Sequence, residues 1–163
     1  MKIVVFSDVH GSQEITQRIL DFNPDRDYTI SLGDSELRNN FLQDNDVIMV
    51  KGNYPRDPGM FYDRDIKLGG IKIFMTHGHR WGVRRSLAKL GKMGMERGYD
   101  LILYGHTHIA NISKIHDTFI LNPGSAKSPR TSLPPTYLIV NIMDGNMTFT
   151  FKDAYTNQTI EVT

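Results

Sequence analysis

The sequence predicts an α/β protein with a two-sheet core flanked by helices. Three observations carry this. Two short, wholly apolar runs near the start are each followed by a helical segment, the pattern of a parallel sheet. The second half turns into hairpins, which adds antiparallel strands at an edge or in a second layer. Polar clusters sit where apolar runs stop, and ligands of open α/β folds bind beyond the carboxyl ends of strands.

The first strand is about Lys2 to Phe6. Gly11-Ser12 then gives a turn and a helix start, with Ile15, Ile19 and Phe22 on one stripe and Pro24 as its end. The second strand is about Tyr28 to Leu32, followed by a short helical segment near Glu36 to Leu42. The third is about Val47 to Val50, and Gly52 to Gly59 is a loop holding two prolines and two glycines. Asp65 to Leu68, Gly69-Gly70 and Ile71 to Met75 read as a hairpin. A longer helix is expected over Val83 to Arg97, burying Val83, Leu87, Leu90 and Gly94; Gly91 and Gly94 weaken it by about 1 kcal/mol each, and Gly98 caps it. A strand over Asp100 to Tyr104 follows. The remainder is β-rich: Ile109 to Ile115, Phe119 to Leu121, a loop from Ser125 to Pro135, then Tyr137 to Ile142 and Met147 to Lys152 around Asp144-Gly145. There is no internal repeat and no domain boundary, so residues 1–163 are expected to form a single domain.

The chain of 163 residues is long enough to bury a real core. It is 39% hydrophobic and 23% charged with a net charge of +1, which argues against disorder and against whole-surface attraction to nucleic acid or membrane. With no cysteine, disulfides, thiolate ligands and a cysteine nucleophile are excluded. No apolar run approaches the about 20 residues needed to span a bilayer, and Ile3 to Phe6 is too short for a signal sequence. A cytoplasmic location is expected.

The strand ends carry the chemistry. Asp8 and His10 follow the first strand, Gly33-Asp34 the second and Gly52-Asn53 the third. His77-Gly78-His79 follows Ile71 to Met75, and Gly105-His106-Thr107-His108 follows Leu101 to Tyr104. Imidazole, carboxylate and amide oxygen suit divalent transition metals. Asp34 can bridge two cations, because a carboxylate presents two oxygens with several lone pairs. Asp8, His10, Asp34, Asn53, His77, His106 and His108 together are too many donors for one tetrahedral zinc, and suit two ions about 3.5–4 Å apart. The glycines before Asp34, Asn53 and His106 would let the backbone turn sharply and let phosphate approach.

Each residue also has a plainer reading. Asp8 and His10 could be a helix-capping acid and a hydrogen-bonded histidine, Asn53 a turn residue, and His79 an exposed loop histidine set against a catalytic or substrate role. The run Arg80, Arg84, Arg85, Lys89, Lys92 and Arg97 reads first as a solvated helix face, and second as a place where Arg80 and Arg84 steer a phosphate. Trp81 and Tyr54 either stack on a base or an aryl group, or simply pack. His116 is expected to be solvated.

The set Asp8-x-His10, Gly33-Asp34, Gly52-Asn53, His77-Gly78-His79 and Gly105-His106-x-His108 resembles the calcineurin-like metallophosphoesterase superfamily. Asn122-Pro123-Gly124-Ser125 points to its small single-domain bacterial and archaeal phosphodiesterase branch. The resemblance implies a four-layer α/β/β/α sandwich of two mixed sheets flanked by helices. It implies two divalent ions, manganese first, with nickel, iron(II) or zinc as alternatives. One ion would take Asp8, His10, Asp34 and His108, and the other Asp34, Asn53, His77 and His106. A hydroxide held between them would attack the phosphorus of a small phosphodiester substrate, with Asn53 touching the phosphate. Relatives often place a histidine or cysteine and then an acid after the asparagine, whereas Tyr54-Pro55 stand here. Tyr54, with an ordinary pKa near about 10, is a weak leaving-group acid; His79 is the preferred donor, and Asp57 a less favoured one. Alternatives are a phosphomonoesterase, a nuclease (nucleic acid is not excluded as a substrate), or a metal-dead interaction scaffold of the kind this fold forms in a retromer subunit. Small relatives often associate, so a dimer or tetramer is expected.

Overall fold

A computed structural model describes residues 1–162. The first half runs β1 (Lys2–Phe6), α1 (Gln13–Asp21), β2 (Tyr28–Ser31), α2 (Asn39–Asp44), β3 (Val47–Met49), β4 (Asp63–Leu68) and β5 (Ile71–Thr76). Then come α3 (Ala88–Arg97), β6 (Leu101–Tyr104), β7 (Ala110–Ile115), β8 (Thr118–Pro123), β9 (Thr136–Met143), β10 (Asn146–Asp153) and β11 (Thr159–Ile160). No helix among the described residues is long and apolar enough to cross a membrane.

Two mixed sheets form. One has the order β11-β10-β9-β1-β2-β3, the other β4-β5-β6-β8-β7. Strands β1, β2 and β3 are mutually parallel, as are β5, β6 and β8. The late hairpin β9–β10 joins the first sheet through an antiparallel β1–β9 pairing, so β1 is internal rather than an edge.

The strands read as continuous apolar runs because both faces are covered. Ile3 and Val5 of β1 face the other sheet, where they meet Ile73, Met75, Leu101 and Leu103. Val4 and Phe6 point the other way, onto Ile15 and Ile19 of α1 and Leu42 of α2. Phe74, Ile102 and Tyr104 form the outer face of the second sheet and pack under Leu90 and Met93 of α3. The result is the four-layer α/β/β/α sandwich.

Several boundaries differ from those the sequence predicts. The helix expected from Val83 starts at Ala88, because Gly82 adopts φ +69° and the segment before Ser86 folds as consecutive turns. Arg80, Arg84 and Arg85 are therefore not on a helix face at all; only Lys89, Lys92 and Arg97 of that run are. The second helix begins at Asn39 rather than Glu36, since Glu36 has φ +52° and is turned toward β1. The two glycines expected to weaken α3 have a packing reason. A Cβ at Gly91 would lie 2.6 Å from Ile115 Cγ2, and one at Gly94 would lie 2.7 Å from Thr118 Oγ1, so they let the helix settle onto the β7–β8 hairpin.

Candidate metal centre

Five parallel strand ends face the same edge of the two sheets, and each releases a ligand-bearing turn. The turns after β1, β2 and β3 carry Asp8 with His10, Asp34 and Asn53; those after β5 and β6 carry His77 with His79, and His106 with His108. The site thus lies on the seam between the sheets. Asp8, His10, Asp34, His106 and His108 all hold left-handed backbone, with φ between 43° and 69°. Such conformations cost non-glycine residues of order 1–3 kcal/mol and cluster at functional sites.

Two donor clusters form. Asp8, His10 and His108 bring one ligand atom each within 4.8 Å of one another, as do Asp8, Asp34 and His77. Asp8 belongs to both, whereas the resemblance gives the shared role to Asp34. Asn53 joins through its Oδ1, 3.1 Å from His77 Nε2. His106 stands beside them with its ring centroid 5.1 Å from that of His77, but outside both clusters. His79 is half-buried rather than exposed, 5.4 Å from His77 and 6.1 Å from His106 between ring centroids.

The histidines are aimed by what holds their far nitrogen. His77 Nδ1 donates to the Leu32 carbonyl at 2.7 Å, which sends Nε2 to within 3.5 Å of Asp34 Oδ2. His108 Nδ1 donates to the Ser128 carbonyl at 2.8 Å, leaving Nε2 at 3.2 Å from Asp8 Oδ1. His10 Nδ1 donates to Glu36 Oε1 at 2.6 Å. A ligating imidazole whose other nitrogen is held this way has its tautomer and orientation fixed. Replacing Glu36 with alanine should weaken divalent-cation affinity about 10–100-fold by titration calorimetry, with Glu36→Gln retaining most of it; unchanged affinity would make the contact incidental.

The donor set fits divalent cations on two grounds. Asp8 and Asp34 are 0% and 4% exposed, and no lysine or arginine pairs with either among the described residues. Buried carboxylates without a compensating cation are costly. Further, Asp8 Oδ2 accepts from Ser7 Oγ (2.6 Å) and the His106 N–H (3.1 Å), while Oδ1 is buried with no aligned hydrogen-bond donor.

The electrostatics say the same. Burial opposes charge on Asp8, but His108 and His77 beside it prevail, and its carboxyl sits below the ordinary range. Burial likewise opposes charge on Asp34, yet His77 and the Tyr54 N–H bring it down to about 2. Burial disfavours protonated His77, but Asp34 and Asp8 push its pKa up, and Asp8 does the same for His108. Asp8 and Asp34 thus favour positive charge where His77 and His108 present Nε2. His106, by contrast, is lowered to about 4 by burial and then by His77 and Arg84, and His79 is lowered by burial and His77.

Asp57 has a role the sequence hides. Its carboxylate is 5% exposed and accepts the backbone N–H groups of Asp34 (3.0 Å), Ser35 (2.8 Å), Glu36 (3.1 Å) and Gly52 (2.6 Å), plus Ser35 Oγ (2.9 Å). With both oxygens engaged, it ties the β2 and β3 turns together and is not placed to act as a leaving-group acid. Gly52 and Gly105 also serve differently from expectation. A Cβ at Gly52 would run into the Asp34 carboxylate and one at Gly105 into Ser7 Oγ, so the close approach they permit is by protein atoms. The turn at Asn122 to Ser125 is structural: Asn122 Nδ2 donates to the Gly105 carbonyl (2.8 Å) and Ser125 Oγ to the Asp8 carbonyl (2.8 Å). Trp81 packs edge-on against Phe74 and donates Nε1–H to Asp63 at 3.0 Å, which assigns it to packing rather than base stacking. His116 is exposed, as expected.

Residues 1–145 match the model of the calcineurin-like phosphoesterase superfamily domain. The chain belongs to this superfamily. Among its members, it is 31% identical over 159 residues to the probable metallophosphoesterase YsnB of Bacillus subtilis, spanning 97% of this chain and 94% of that one. It is 27% identical to the phosphodiesterase YfcE of Escherichia coli, spanning 84% and 85%. The crystal structure of a predicted phosphoesterase from Streptococcus pneumoniae superposes with a TM-score of 0.84 at 30% identity, covering 99% of this chain and 96% of that one. The chain is thus a metal-dependent phosphoesterase of the calcineurin-like superfamily, and the buried donors on the sheet seam are suited to its divalent ions.

Proposed function

We propose that the chain hydrolyses phosphodiester bonds at a dinuclear centre. The observation that carries this reading is the presence of two donor clusters that share the buried Asp8 carboxylate, with Asp34 beside it in the second; the family resemblance gives the bridging role to Asp34. One ion would be held by Asp8, His10, His108 and Asp34, the other by Asp34, Asn53, His77 and His106. When bound, the pair would supply Lewis acidity toward the phosphoryl oxygens and a nucleophilic water at neutral pH.

The remaining work falls to side chains. Glu36, Leu32 and Ser128 hold three imidazoles in the orientation that points Nε2 inward. Asn53 is exposed at the mouth, and its Nδ2–H donates to a phosphoryl oxygen while Oδ1 faces His77. We assign leaving-group protonation to His79, which stands beside His77 and His106 with its Nδ1 buried and unpartnered among the described residues; burial and His77 lower its own pKa, so the proton it delivers would be taken up only with the anionic substrate bound. Tyr54 and Asp57 are not needed for this step. Preference for diesters over monoesters is supported by the name phosphodiesterase borne by YfcE. All seven ligand positions are filled, which disfavours a metal-dead scaffold.

The test is hydrolysis of bis(p-nitrophenyl) phosphate beside p-nitrophenyl phosphate, with manganese, nickel, iron(II) or zinc added to chelator-stripped protein. The diester should turn over faster than the monoester, and only with metal. No turnover with any of the four metals, or a monoester preference, would overturn the proposal. Cyclic nucleotides and single-stranded DNA in the same panel separate a nuclease.

A further inference from the structure

A cavity of about 510 Å³ opens beside the metal centre, within the size range of small-molecule sites. One part of its wall is apolar, formed by Val83, Leu87 and Ile109; another is cationic, formed by Arg84, Arg85 and Arg130. It is contiguous with the centre. Val83, Arg84 and Arg85 also line a smaller hollow whose other walls include His79 and His106. On the far side, Thr107 lies between two candidate ligands, and the Arg130 N–H donates to the His108 carbonyl at 3.1 Å.

The charge is not explained by the fold. No acidic side chain lines either hollow, and none of the three arginines has a carboxylate within 4.0 Å among the described residues. Arg80, by contrast, is engaged, with its guanidinium 4.7 Å from the Tyr62 ring centroid. A net charge of +1 leaves little general positive potential, so this cluster is local. Guanidinium forks match phosphate oxygens in pairs, and the apolar wall suits a sugar or base. The scissile phosphate is already served by the metal donors.

We propose that the cavity is a subsite for a second phosphate on the substrate, so that the enzyme acts on nucleoside-sized phosphodiesters phosphorylated at their far end. This rests on the phosphoesterase reading of the metal centre. It defines a substrate class of dinucleotides or short oligonucleotide ends rather than simple dialkyl or diaryl esters.

The test compares two substrates on the manganese-loaded full chain: the p-nitrophenyl ester of thymidine 5′-phosphate, and the same ester carrying a 3′-phosphate. The 3′-phosphate should lower KM by at least about tenfold, in keeping with charge-assisted hydrogen bonds to arginine. In an Arg85→Ala, Arg130→Ala double variant the KM ratio of the two esters should fall close to one, while Arg85→Lys with Arg130→Lys should keep part of it. The side chains are exposed and without ion pairs, so the fold should tolerate both changes. Equal KM values, or a ratio unmoved in the double variant, would overturn the subsite. A 3′-carboxymethyl ester that gains as much as the 3′-phosphate would overturn the phosphate assignment. Calorimetry with thymidine 5′-phosphate and thymidine 3′,5′-bisphosphate separates the two readings. A preference for the bisphosphate that the double variant loses, without turnover of either ester, would retain the subsite and reject the phosphodiesterase.

Discussion

Replacing Asp34 with asparagine should lower phosphodiesterase turnover by about a thousandfold or more, equivalent to about 4 kcal/mol of transition-state stabilisation. The substitution is nearly isosteric. Oδ1 can still accept the Tyr54 N–H, now at 2.8 Å, so the turn after β2 should persist. What is lost is the anionic oxygen that lies 3.5 Å from His77 Nε2, the proposed shared ligand of both ions. Metal binding gives an independent measure. Divalent cation at a hundred times its dissociation constant should raise the melting temperature of the unmodified protein by about 5–10 °C. The variant should show little of that rise. If it keeps more than about a tenth of the turnover and the full thermal shift, Asp34 does not bridge the ions.

Truncating Asp57 to alanine should destabilise the fold by about 3–5 kcal/mol, read as a shift in the urea midpoint at unchanged slope. Four backbone N–H groups depend on this one carboxylate, and those of Asp34, Ser35 and Gly52 belong to buried residues. Left unpaired, each costs about 1–3 kcal/mol, less whatever water can recover. Asp57→Asn, which keeps one acceptor oxygen, should lose roughly half as much. The same variants should bind divalent cations more weakly, because Asp34 and the Gly52-Asn53 turn are the segments released. An unchanged midpoint in Asp57→Ala would mean that the turns after β2 and β3 hold their shape alone.

Much of this site could be read from the residues because its strands are short, apolar and interrupted abruptly. Val4 to Phe6, Ile30 to Leu32 and Leu101 to Tyr104 stop at polar residues, and parallel pairing sends those stops to one edge. The supporting groups could not be read in the same way. Glu36 looks like the first residue of a helix, and its contact to His10 spans 26 residues with no periodic signal. Asp57 looks like an ordinary acid in a proline-rich loop, and its partners are backbone amides, which leave no mark on side-chain patterns. The spacing of Val83, Leu87 and Leu90 predicts a helix longer than α3, because a single left-handed glycine at position 82 breaks the backbone without disturbing that spacing. Arg84 and Arg85 owe their place to the same glycine: on a helix they would be solvated, whereas on a turn they line a cavity.

The left-handed backbone at Asp8, His10, Asp34, His106 and His108 has an evolutionary corollary. Histidine at such positions is disfavoured by about 1–2 kcal/mol relative to residues that tolerate them, and asparagine or glycine would relieve this. At His10, His106 and His108 such a change would relieve backbone strain at the expense of a metal donor, whereas Asp8 and Asp34 also anchor hydrogen bonds from Ser7, His106 and Tyr54. Three donor positions thus set ligand chemistry against backbone comfort, and use of the metals is what favours histidine there.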